Sequence, residues 1–146
     1  MIHLQALGAF VASNILALLL CVFVYMAIGA LWYGFLFMKA WSKLSGADLL
    51  TDAEKKKTMI NGMATSIITG FVIATVLGRG MQLLDMSSPA FPLVVATILW
   101  LPFTALPMAQ CTAHAHKPLK LLLIDSGYML VSLWALSLVL YATVLS

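Results

Sequence analysis

Four long apolar runs, separated by short polar stretches, govern what this chain can fold into. They extend from about Phe10 to Phe37, Ile60 to Leu84, Phe91 to Met108 and Leu121 to Leu145. A helix needs about 20 consecutive apolar residues to cross a hydrocarbon core about 30 Å thick, and each run reaches or approaches that length. Lipid offers no water to satisfy peptide N–H and C=O groups, so the runs are expected to be helices. Composition agrees: 63% of the 146 residues are hydrophobic and 9% are charged, against about 25% charged in soluble globular domains. The expected fold is all-α, a polytopic membrane protein formed by one four-transmembrane-helix domain over residues 1–146. The first run is too long for the apolar region of a signal peptide, and no Lys or Arg precedes it. Ala27, Gly29 and Ala30 supply small residues near its end, yet an uncleaved span is the expectation.

The polar stretches set the orientation. Seven of the eight Lys and Arg residues fall in two of them: Lys39, Lys43, Lys55, Lys56 and Lys57 in one, Lys117 and Lys120 in the other. The connection around 80–90 has no Lys or Arg beyond Arg79 at its edge, and the N-terminal segment has none. Basic residues favour the cytoplasmic side, so loops one and three are expected inside and both termini outside. Trp32, Tyr33 and Trp41 fall where the first helix leaves the inner leaflet, a level at which amphipathic rings are enriched. Basic residues in that role, with no base-reading motif among them, point away from nucleic acid. The expected partner is the lipid bilayer.

Local signals refine this frame. Thr51-Asp52-Ala53-Glu54 has the spacing of a capping box, which starts the second helix near Asp52, inside an inner loop spanning 39–58. Lys55, Lys56 and Lys57 then form either a solvated run or a contact with anionic headgroups. Gly62, Ser66, Gly70, Ala74 and Gly78 recur at every fourth position. Such a stripe lets helix backbones approach closely, and the neighbouring Asn61, Thr65 and Thr69 carry groups able to bond across an interface. The second span is therefore read as the central packing element, against this chain or another subunit. Pro102 and Pro107 each remove a backbone donor from the third span and favour a kink.

Asp125 is the most informative polar residue, because an ionisable group within a membrane helix should face protein or water. Tyr128 and Ser132 share its helical face. The topology puts Trp32, Tyr33, Asn61 and Thr104 at the same depth, so an inner-leaflet polar cluster is expected. Two roles are open: a hydrogen-bonded clasp in which Asp125 accepts from Tyr33, Trp32 or Lys120, and a proton or ligand site. Arg79 is expected to reach headgroups or pair with Asp85. Cys111, His114 and His116 make only three donors, too few for structural zinc, so no metal is expected. Nine Met residues are scattered through the chain, which reads as core filling rather than soft-metal transport. Cys21 and Cys111 fall at different depths, which argues against a disulfide. No nucleotide-binding, hydrolase or metalloprotease motif occurs, and neither an enzyme activity nor a cofactor is expected.

Gly29-Ala30-Leu31-Trp32-Tyr33-Gly34, with Phe35-Leu36-Phe37 and Lys39-Ala40-Trp41, resembles the first-helix signature of a family of bacterial membrane proteins, the domain-of-unknown-function family numbered 1761. Leu50-Thr51-Asp52-Ala53-Glu54 is similar to its inner-loop helix start. Lys117-Pro118-Leu119-Lys120 and Leu123-Ile124-Asp125-Ser126-Gly127-Tyr128 are similar to its fourth-helix motif. The resemblance covers nearly the whole chain. It implies a four-helix protein of the bacterial cytoplasmic (inner) membrane whose pattern includes Trp32, Tyr33 and Asp125, and it brings no activity with it. Three functions are left open: an oligomeric packing or accessory component, as a homo-oligomer or a subunit of a membrane complex; a small transporter or channel using the Asp125 cluster; and a binder of a lipid or hydrophobic small molecule.

Overall fold

A computed structural model describes the backbone of residues 2–84, 88 and 90–145. All regular structure among them is helical: α1 (Ile2–Ser13), α2 (Ile15–Leu31), α3 (Met38–Ser45), α4 (Asp52–Leu83), α5 (Ala90–Trp100), α6 (Leu106–His114) and α7 (Leu119–Leu140), with wider π turns at Trp32–Leu36, Leu101–Ala105 and Tyr141–Leu145. Continuous stretches long and apolar enough to cross a membrane run over Ile15–Leu36, Asp52–Leu83, Ala90–His114 and Leu119–Val144. The chain is therefore a multi-pass membrane protein of four spanning helices.

The helix boundaries have local causes. Asn14 distorts the junction of α1 and α2, where its side-chain amide donates to Phe10 O at 2.9 Å while the Ser13 hydroxyl donates to Ala9 O at 2.8 Å. Side-chain groups that compete for backbone carbonyls loosen a helix locally, and the first span accordingly starts at Ile15 rather than Phe10. The expected capping box is present. Glu54 N–H donates to Thr51 Oγ1, and Glu54 Oε2 accepts from Thr51 N–H at 2.8 Å. Gly46, at φ +80°, ends α3 in the left-handed region that favours glycine. Pro102 and Pro107 do not stop the third span. Its helix widens into a π turn over Leu101–Ala105 and continues to His114, a way to absorb a missing backbone donor.

The centre of the bundle is α7, which packs against α2, α4 and α5, while α2 also packs along α4. This corrects the expectation that the second span is central. Half of that span's small-residue stripe is engaged within the chain. A Cβ at Gly70 would stand 3.2 Å from Tyr25, and one at Gly78 would stand 2.8 Å from the Phe10 ring and 3.2 Å from Leu140. Ala74 between them is fully buried. The other half diverges: Gly62 has open space beside it and Ser66 is half-exposed. The hydroxyl of Thr65 turns back to Asn61 O in its own helix at 2.8 Å rather than crossing to a neighbour. Around α7, Ser126, Ser132 and Ser137 are all buried. Small side chains there let three helices close around one.

Lipid tails are as apolar as leucine, so close van der Waals contact replaces hydrophobic transfer as the force between these helices. Overpacking such a contact costs about 1–3 kcal/mol. Gly78→Leu is expected to lower the thermal midpoint of the detergent-dispersed monomer by several degrees, whereas Gly62→Leu leaves the monomer's midpoint within about 1 °C. Equal shifts for both variants would show that α4 packs along its whole length.

Candidate functional site

Four tryptophans tie the bundle to α7. Trp32 Nε1–H donates to Ile124 O at 3.0 Å, Trp41 Nε1–H to Asp125 Oδ1 at 3.1 Å, and Trp100 Nε1–H to Ser126 O at 2.9 Å. Three successive residues of α7 thus receive indoles from three different segments. Farther along, Trp134 of α7 donates to Thr97 Oγ1 of α5 at 2.9 Å. Gly127 makes room for the first of these contacts, since a Cβ there would stand 3.4 Å from the Trp32 ring.

Asp125 is the polar centre of this arrangement. Its Oδ1 accepts from both the Tyr33 hydroxyl and the Trp41 indole, each at 3.1 Å. The two donors come from opposite sides of a bend. Tyr33 lies in the π turn that ends the first span, and Trp41 lies on α3. That short helix is amphipathic, with Lys39 and Lys43 exposed and Trp41 and Leu44 half-buried. A helix of that kind fits the membrane boundary, and it delivers the Trp41 ring back to α7. The aromatic rings interlock: Tyr33 meets Trp41 with centroids 5.2 Å apart and Tyr128 at 5.0 Å, and Tyr128 meets Tyr25 at 5.5 Å. These tilted pairs suit the ring quadrupoles.

Beside Asp125 lies an open groove of about 530 Å³. Tyr33, Trp41, Asp125, Tyr128 and Met129 form one wall; Phe103, Thr104, Pro107 and Met108 of the third span form the other. The π turn at Leu101–Ala105 aims Phe103 and Thr104 into this wall, and Phe103 is 77% exposed at its mouth. Tyr33, Thr104, Asp125 and Tyr128 meet at the groove. Trp32 stands behind it, packed on Phe37 and Tyr128, and donates to the α7 backbone instead of the carboxylate. Asn61 does not join, because the basic half of α4 diverges from the bundle and leaves Asn61 exposed. Lys120 is exposed and forms no ion pair with Asp125 among the described residues; Lys117 is the cation whose field reaches that carboxylate. Trp41, Phe103, Met108 and Met129 are additions. Trp41 was legible as an aromatic between two lysines at a membrane boundary, but its partner was not.

A sequence profile of a protein family of unknown function, DUF1761, matches residues 16–141. The chain belongs to the DUF1761 family. No curated protein and no solved structure matches it. The match takes in both walls of the groove, so the family's span and the Asp125 arrangement coincide in this DUF1761 protein.

The remaining candidate residues stand apart. Arg79 donates to Gln82 Oε1 at 3.1 Å, and its pairing with Asp85 lies outside the described residues. Cys111, His114 and His116 are exposed at the end of α6, with His114 Nδ1 facing Gln110 O at 2.8 Å and His116 at φ 51°. Among the described residues no three His, Cys, Asp or Glu side chains gather as a metal site. Cys21 is buried and Cys111 exposed, both free.

A hydrogen bond to a charged acceptor contributes about 1.5–3 kcal/mol. Tyr33→Phe and Asp125→Leu are each expected to destabilise the detergent-solubilised protein, and their double mutant to fall short of the sum by about 1 kcal/mol or more. Thermal or denaturant unfolding of the four proteins closes the cycle; strict additivity would show that the bond is not made.

Proposed function

We propose that this DUF1761 protein is a non-enzymatic membrane binding protein whose groove beside Asp125 takes up a lipid or a hydrophobic small molecule. One observation carries the reading: a carboxylate sits in the wall of an open groove about 530 Å³ in volume, within the range of about 300–1,000 Å³ usual for small-ligand sites. Apolar and aromatic side chains surround it, and a few polar groups, Asp125, Thr104 and the Tyr33 hydroxyl, would fix orientation. The lysine distribution supports an orientation with both termini outside and the groove near the cytoplasmic face of a bacterial inner membrane. A ligand would then enter sideways from the inner leaflet, past Phe103. Native mass spectrometry of the protein purified in mild detergent is expected to show a retained ligand. Thr104→Trp, which fills the groove, should release it. Ligand-free protein in both forms would refute the reading, and so would retention unaffected by the filled groove.

A second reading rests on a separate observation, the unengaged half of α4. Gly62 and Ser66 belong to a close-packing stripe that, among the described residues, has open space beside Gly62 and leaves Ser66 half-exposed. We propose that two copies meet there. In a Cys111→Ser background, Gly62→Cys and Ser66→Cys are expected to cross-link in membranes, and Ile68→Cys, exposed on the opposite side of α4, to cross-link far less. Equal cross-linking at all three positions would indicate random collision.

A further inference from the structure

The groove's chemistry selects among hydrophobic ligands by charge. We propose that the site takes a lipophilic organic cation, with its positive centre against Asp125 and its apolar substituents among Tyr33, Trp41, Phe103 and Tyr128; this rests on the groove being a binding site.

The argument starts from the carboxylate. A carboxylate has about four acceptor positions. Two donors converge on Oδ1 of Asp125, and no described residue bonds its other oxygen. Neither wall of the groove carries a Lys, Arg or His. Among the described residues no ion pair neutralises Asp125, and Lys117, whose field reaches it, is exposed at the turn before α7. The protein therefore orients the carboxylate with two donors and leaves acceptor capacity beside an apolar groove. An anionic ligand would add repulsion there. A neutral ligand would leave the negative charge uncompensated, which is costly in a poorly hydrated site.

The lining supplies the second half of the recognition. Aromatic rings attract cations through their quadrupole, and clusters of rings bind quaternary ammonium groups in this way. Four of the nine lining residues are aromatic and two more are the thioethers Met108 and Met129. These groups are polarizable, weakly hydrated partners for a bulky cation. A volume of about 530 Å³ is far larger than a metal ion or a bare ammonium requires. The site thus favours a delocalised or alkylated cation carrying hydrophobic bulk.

The test uses full-length protein in detergent and three probes of similar shape: tetraphenylphosphonium, neutral triphenylphosphine oxide and the anion tetraphenylborate. Binding is followed by calorimetry and tryptophan fluorescence. The cation is expected to bind at least about tenfold tighter than the neutral probe, with the anion weakest. Asp125→Asn should erase the preference between cation and neutral probe. Phe103→Leu, at the exposed mouth where folding is not at stake, should weaken cation binding about threefold while barely changing neutral binding. Equal affinity for cation and neutral probe overturns the charge assignment. If Thr104→Trp still abolishes that binding, the groove remains a binding site. A cation preference that survives Asp125→Asn also overturns the proposal. Failure of all three probes to bind overturns the charge assignment, and the binding reading is then decided separately by the retained ligand and its release in Thr104→Trp.

Discussion

Indole hydrogen bonds to α7 are the interaction on which the rest of the bundle depends. In lipid, apolar side chains gain little by leaving the solvent for one another, because the solvent is itself apolar. Directional contacts and close packing must then decide which helices meet. Trp32, Trp41 and Trp100 each direct their one N–H to consecutive residues of α7, at Ile124 O, Asp125 Oδ1 and Ser126 O. Two of those acceptors are helix carbonyls with a second lone pair to offer, so the ladder of α7 need not be broken. The bonds fix the end of the first span, α3 and the third span to one level of one helix. Closer to the opposite end, Trp134 and Thr97 repeat the device between α7 and α5.

The same constraint explains which parts of this arrangement the sequence revealed. Spans are legible because lipid imposes length and polarity on every residue of a run, and Thr51 with Glu54 marks a helix start by purely local chemistry. Tyr33 could be named in advance only as one of three candidate donors to Asp125, beside Trp32 and Lys120, because a charge inside a span needs a donor. Helix order around the bundle was less legible. The stripe from Gly62 to Gly78 looks uniform in sequence, but only its portion from Gly70 onward meets Tyr25 and Phe10. A small residue permits approach without naming a partner, and divergence of one half of α4 leaves no local mark. The buried serines of α7, which do mark the centre, are dispersed at 126, 132 and 137 and look like isolated substitutions. Trp41 was missed as a ligand of Asp125 for a similar reason: its role depends on the π turn at Trp32–Leu36 folding α3 back.

The π turns connect packing to the site. Two of the three, Trp32–Leu36 and Leu101–Ala105, supply lining residues of the groove: Tyr33 from one, Phe103 and Thr104 from the other. A π turn inserts an extra residue, which rotates the downstream helix and widens the turn itself. In a tightly packed bundle that widening would be filled by a neighbour. Here residues of both turns line one groove together with Asp125, Tyr128 and Met129 of α7, and that space stays open. Pro102 gives a chemical reason for one of them, since an α-helix would set its ring against the carbonyl of Ile98.

Asp125 would be an expensive way merely to hold helices together. A carboxylate in this position must be partly stripped of water, and replacing buried polar pairs with apolar ones is often neutral or stabilising. The backbone carbonyls at 124 and 126 already anchor Trp32 and Trp100 without any charge. A third carbonyl, or a serine, at the level of Trp41 would complete the clamp at lower cost. What the carboxylate adds is a negative charge with a free acceptor edge beside a groove lined by aromatic rings. Retaining it makes physical sense where something positive occupies the groove part of the time, and the clasp by Tyr33 and Trp41 then serves to hold the charge in place while the groove is empty.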